Sequence, residues 1–199
     1  MAVLMVTLLL ATAAMLSARS ATDTSNRDVR VKRAIAAAEA GLDGAVAHAN
    51  NVSLDLTNPL NLNQQCLVKV SLGGLNLGGG PSSGWCAPVT ENLGNGVSYE
   101  YRMSSVATIG PGLPLILIGN WNGVLQRKVV GIGKVDCPGS KCVERRVYQE
   151  ATANVSASGI SLLGLNLLSN LQLQLYRKQP GTFRECSSKA SGGAPDSGC

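Results

Sequence analysis

The sequence predicts an α+β fold in which one long N-terminal helix packs on a mainly antiparallel β head. Three observations carry that expectation. An uncharged apolar run, Met1–Ala18, is followed by Ala-rich, helix-forming sequence as far as Asn50. Beyond Pro59, short apolar runs alternate with turns marked by glycine and proline. The composition agrees, because 23 glycines, 4% aromatic and 15% charged residues suit short strands and loops better than a helix-rich enzyme core. A chain of 199 residues has room for one domain with a real core. The expected partition is a membrane-spanning segment over 1–18, an amphipathic helix over 19–50, a β-rich head over 51–178 and a flexible tail over 179–199.

As a helix rising about 1.5 Å per residue, Met1–Ala18 is roughly 27 Å long and can just cross a bilayer. A cleaved secretory signal is the competing reading, with Ala18-Arg19-Ser20 as its small-residue cleavage site. The run lacks the basic opening of such a signal, and the helical pattern resumes after the polar stretch Arg19–Asn26, which favours a retained anchor. That polar stretch is a candidate break in the helix. Val31, Ile35, Ala38, Leu42 and Ala45 recur at four- and three-residue steps and form one apolar stripe. Val31, Ile35, Ala38 and Leu42 are therefore expected to pack against the head, with Arg27, Arg30, Lys32 and Glu39 turned elsewhere. Asn50-Asn51 and Pro59 end the helix.

The six cysteines, Cys66, Cys86, Cys137, Cys142, Cys186 and Cys199, all lie beyond the N-terminal segment, and none sits in a Cys-x-x-Cys pair. Their even number points to disulfides and an oxidising compartment. A zinc site would need clustered soft ligands, and the single histidine, His48, is far upstream. The cysteines thus place the head outside the cytoplasm. The basic cluster after the apolar run pulls the other way under the positive-inside rule. A basic leader upstream of Met1 is expected to reconcile the two. The net charge of +5 is mostly scattered, with Arg27, Arg30, Lys32 and Arg33 the one dense group, so nucleic acid is not an expected partner. Pairs such as Arg127-Lys128 and Arg145-Arg146 read as solvated charges beside strands.

Within the head, Cys66–Leu72 has strand character, and Gly73–Gly80 is a glycine-rich loop without the Lys-Ser or Lys-Thr ending of a phosphate-binding loop. Val97–Val106 alternates cleanly, with Val97, Tyr99, Tyr101 and Met103 on one face. Leu113–Ile118 is a buried strand or the start of a loop. Arg127–Val135 and Val143–Val155 flank Asp136–Cys142 and predict a hairpin stapled at its tip. Ile160–Tyr176 fits a leucine-rich helix or a strand, although Leu171, Leu173 and Leu175 have the two-residue period of a strand. Neighbour pairing, Cys66–Cys86, Cys137–Cys142 and Cys186–Cys199, is the simplest of fifteen connectivities, which the sequence leaves open.

The block Asp28–Leu42, ending in Ala37-Ala38-Glu39-Ala40-Gly41-Leu42 directly after an apolar helix, resembles the N-terminal region of PilX-like type IV pilus assembly proteins. The likeness covers about the first quarter of the chain. It implies a pilin-like ladle, a minor-pilin-like structural subunit whose partners are the lipid bilayer and other pilin-like subunits. It also implies that Cys186 and Cys199 bound a C-terminal loop of the kind pilins use for surface contacts. No Gly-Phe-Thr-like motif precedes the apolar run, and the first acidic residue is Asp23.

No catalytic, cofactor or metal site and no small-molecule substrate is indicated. His48 is the lone imidazole and reads as a helix C-terminal residue. Asp136, Glu144 and Glu150 lie among basic residues, where salt bridging is the simpler role. Asn51-Val52-Ser53 and Asn154-Val155-Ser156 match the N-glycosylation pattern. An unrelated single-span or secreted cell-surface binding protein is the alternative class, and an envelope enzyme the third.

Overall fold

The computed structural model describes residues 2–51, 69–72, 75–77, 84–110, 116–162, 165–186, 195, 196, 198 and 199. The fold is α+β, with one N-terminal helix laid on a largely antiparallel sheet. Helix α1 runs from Ala2 to Asn51, 50 residues or about 75 Å at 1.5 Å per residue. It does not break at 19–26. The hydroxyls there turn back onto the helix, with Thr22 Oγ1 donating to the Ala18 carbonyl at 2.9 Å and Thr24 Oγ1 to that of Ser20 at 2.9 Å. Polar side chains satisfied on the helix itself leave the ladder unbroken. Among the described residues no helical stretch is long and apolar enough to cross a membrane. The side chains of residues 1–11 and 13, most of the apolar run 1–18, lie outside the described residues.

The sheet is organised by a long hairpin, β6 (Ile116–Val135) with β7 (Val143–Leu162), in register from Ile116↔Leu162 to Val135↔Val143. The expected hairpin is present and both arms are longer than the pattern suggested. Two sets of neighbours flank it. At the tip end, β4 (Val97–Met103) pairs with β6, and β3 (Val89–Gly94) pairs with β4. At the far end, β5 (Val106–Gly110) pairs with β6, and β1 (Lys69–Leu72) lies parallel to β5 with β2 (Leu75–Leu77) beyond it. The other edge of β7 takes β8 (Leu165–Leu173), then β9 (Arg177–Lys178) and β10 (Arg184–Glu185) in succession. Leu165–Leu173 is thus a strand, which decides the helix-or-strand ambiguity over 160–176. Residues 66–68, 73, 74, 78–80 and 113–115, which complete three of the expected segments, lie outside the described residues.

Strand alternation sorts the head into two faces. Val97, Tyr99, Tyr101 and Met103 of β4, Leu125, Val129 and Val135 of β6, and Val147, Ala151 and Ala153 of β7 form the inner core with the helix. The helix contributes Ala34, Ala37, Ala38, Leu42, Ala45 and Ala49 to it. The four residues expected to pack on the head differ in burial. Ala38 and Leu42 are buried, whereas Val31 and Ile35 are only half-buried at the margin, and Ala34 holds the central place.

The reason lies in β6. Gly131 and Gly133 share the inner face and carry no side chains, so the helix backbone rests almost on the strand. A Cβ on Gly133 would lie 1.8 Å from the Ala34 carbonyl oxygen and 2.6 Å from the Ala38 amide nitrogen. One on Gly131 would lie 2.1 Å from the Ala38 carbonyl oxygen. Only small helix residues fit so close a contact, and a bulky Ile35 is displaced to the side. The top of the helix is pinned as well. The Asn50 side chain donates to the Tyr176 carbonyl at 3.1 Å and accepts from the Tyr176 amide at 2.6 Å.

Candidate functional site

Below the head, α1 has no partner within the described chain. Every described side chain over 14–29 is exposed, including Met15 at 68%, Leu16 at 67% and Val29 at 52%. Large apolar groups left in water along a helix are the mark of a contact surface. Where the helix meets the head, Arg30 donates to the Lys141 carbonyl at 3.2 Å, and Arg33 donates to that of Asn95 at 3.5 Å. These bonds join the helix to the hairpin tip and to the β3–β4 turn.

The tip is stapled by a Cys137–Cys142 disulfide, with Cα atoms 4.6 Å apart. A second disulfide joins Cys186 and Cys199. Cys86 is also disulfide-bonded, and Cys66, its expected partner, lies outside the described residues. The two described disulfides agree with folding in an oxidising environment.

Of the tail expected over 179–199, the described residues are 179–186, 195, 196, 198 and 199. Residues 177–186 run along β7, with the Gln179 amide donating to the Glu150 carbonyl at 2.8 Å and the Cys186 amide to that of Arg146 at 3.0 Å. Cys186 and Cys199 pack on an outer-face cluster of Trp85, Val130, Ile132 and Tyr148. Arg146 donates to the Pro195 carbonyl at 3.1 Å, and Lys128 pairs with Asp196 at 2.9 Å. Cys186, Pro195, Asp196 and Cys199 therefore lie against the sheet face opposite the helix. Residues 187–194 and 197 lie outside the described residues.

Two arginines expected in solvent are buried. Arg127 is 2% exposed on the inner face, where it donates to the Ser104 carbonyl through Nε at 3.0 Å and Nη2 at 2.6 Å. Its guanidinium lies 6.0 Å from the Tyr176 ring centroid, within cation–π range. Burial lowers its pKa, and Tyr176 works against that shift. Arg146 is 6% exposed beneath the tail. Neither is marked out by sequence, since a basic residue in a strand looks the same whether the facing layer is solvent or protein.

The expected carboxylate pairs also differ. Among the described residues the ion pairs run through Glu100, Asp196 and Asp43, not through Asp136, Glu144 or Glu150. Burial pushes the Glu100 carboxyl up, but hydrogen bonds from Lys134 at 2.8 Å and Arg102 at 2.9 Å overcome it and hold the pKa below the usual value. His48 is exposed, its ring 6.3 Å from that of Tyr101. Among the described residues no three metal-ligating side chains converge. Nothing described assembles a nucleophile, a base and an orienting group.

All four tyrosines titrate high. The Tyr99 hydroxyl donates to the Glu91 carboxylate, and this bond, with burial, raises its pKa to about 12. Burial and a bond to Glu150 at 3.0 Å raise Tyr148 to about 12. Burial raises Tyr101 and Tyr176 as well. Folded pKa values above the ordinary 10.0 mean that stability is complete below that pH and is lost as pH climbs toward 12. Phenolate absorbance is expected to rise only together with loss of sheet circular dichroism. Ordinary titration of all four in the folded protein would contradict these environments.

No protein-family model, no curated protein and no solved structure matches the chain. Among the described residues the protein is one helix on one sheet, with an exposed helix stem and disulfides at the hairpin tip and the C-terminus.

Proposed function

We propose that this chain is a structural, minor-pilin-like subunit of a type IV pilus or pseudopilus. It serves filament assembly, adhesion or uptake, with no catalytic role. One observation carries the reading. The helix is divided, with its upper half seated on the sheet and residues 14–29 exposed on all sides. The lower end of that stem, where Met15 and Leu16 stand exposed, calls for an apolar environment that the described chain does not supply. Before assembly it is the bilayer, and after assembly the helices of other pilin-like subunits. The run 1–18 continues the exposed stem and supplies the anchor. The disulfides support a head outside the cytoplasm, and the Cys186–Cys199 pair lies on the face away from the helix, where it can bound a surface for contacts.

Fractionation of the producing cells tests it. Full-length protein is expected in the carbonate-washed membrane pellet and in filaments sheared from the surface. A soluble form beginning near Ala21 would refute the anchor. Retention in the membrane with none in sheared filaments would leave a single-span surface protein and remove the pilus role.

A further inference from the structure

Where the stem leaves the head, a cleft of about 410 Å³ opens between the helix and the hairpin tip. Four cations line it, Arg27 and Arg30 from the helix and Lys141 and Arg145 from the tip, against a single carboxylate, Glu144. Among the described residues none of the four forms an ion pair. The hydrogen bonds from Arg30 and Arg145 go to the carbonyls of Asn26, Lys141 and Glu144. Like charges gathered around one cleft repel, and Glu144 is the one carboxylate in its lining to offset them. We infer that this cleft binds the phosphate of an anionic phospholipid headgroup. The inference rests on the membrane-anchored reading.

Position selects the ligand. Arg27 stands nine residues above Ala18, about 14 Å along the helix axis. The headgroup layer on each side of a bilayer is roughly 5–8 Å thick. Helix side chains lean toward the N-terminus, and long basic side chains snorkel, so Arg27 reaches down across the remaining gap, with Arg30 about one turn above it beside the tip. Arginine also matches phosphate geometry through its planar fork of donors. The disulfide holds the tip in place, so Lys141 and Arg145 meet the helix arginines around one volume. Binding here also gives the basic group a role on the outer side of the membrane, where the positive-inside tendency alone disfavours it.

The test uses the full-length chain in detergent micelles, titrated separately with short-chain phosphatidylglycerol, short-chain phosphatidylcholine and inorganic phosphate. Phosphatidylglycerol is expected to bind at least tenfold tighter than phosphatidylcholine, and salt should weaken it. The double variant Lys141→Gln/Arg145→Gln changes two exposed tip residues and should retain its melting temperature. It is expected to lose about fivefold in phosphatidylglycerol affinity for each charge removed. Equal binding of the two lipids, or an unaffected variant, overturns the inference. Inorganic phosphate binding as tightly as phosphatidylglycerol overturns the lipid assignment. Retention of the chain in pure phosphatidylcholine vesicles after carbonate washing reports on the anchor alone, so the two readings fail separately.

Discussion

Gly133→Ala is expected to unseat the helix from the sheet, with a loss of about 3 kcal/mol or more. The new methyl would fall 1.8 Å from one backbone atom of α1 and 2.6 Å from another. Neither atom can rotate away as a side chain can. Relief requires the helix to lift as a body, which opens the packing of Ala34, Ala38 and Leu42 together. Gly131→Ala meets the same obstacle at 2.1 Å. The contrast is Gly41→Ala on the helix side. There the nearest backbone atom is the Glu100 carbonyl oxygen at 3.3 Å, and alanine gains about 1 kcal/mol of helix propensity over glycine. That variant is expected to stay within about 1 kcal/mol of the parent. Denaturant titration followed by circular dichroism compares the three. A Gly133→Ala protein as stable as the parent would show that the helix does not lie this close.

Leu42→Asp is expected to prevent the head from folding. Leu42 is 2% exposed, and burying such a side chain contributes roughly 1.5–3 kcal/mol. The aspartate adds an unpaired charge in the core, at a cost of several kcal/mol more. The sum rivals the whole stability of an ordinary domain, about 5–15 kcal/mol. Ile35→Asp gives the sharper comparison. The sequence stripe ranks the two positions as equals, but Ile35 stands at the half-buried margin, where a charge can reach water. Its expected cost is about 1–2 kcal/mol. Equal losses at both sites would restore the stripe as the sequence drew it. An unchanged melting temperature for Leu42→Asp would show that the helix stands away from the head.

Several features were legible because they depend on local chemistry. The Ala-rich sequence up to Asn50 is helix-forming, and α1 is described from Ala2 to Asn51. The alternation of Val97, Tyr99, Tyr101 and Met103 is that of a strand with one buried face, and all four lie in the inner core. Cys137 and Cys142 stand at a chain reversal, where closeness in sequence brings closeness in space. The polar stretch 19–26, a candidate break by composition, is helical, because composition alone does not show that a threonine hydroxyl can be satisfied by the carbonyl four residues back.

By itself the sequence determined the class of the fold, the presence of a long N-terminal helix, the hairpin with its staple, and the apolar run at the start of the chain. Each follows from periodicity or spacing within a few residues. Only the tertiary structure decided which helix face is buried, since that depends on where Gly131 and Gly133 fall opposite it, about 90 residues downstream. It also decided that Arg127 and Arg146 lie in protein and that Cys186 and Cys199 pack on the outer sheet face. It set Arg27 and Arg30 beside Lys141 and Arg145 as well. A side chain's environment is set by whatever layer packs against it, and that layer comes from a distant part of the chain whose approach no local pattern records.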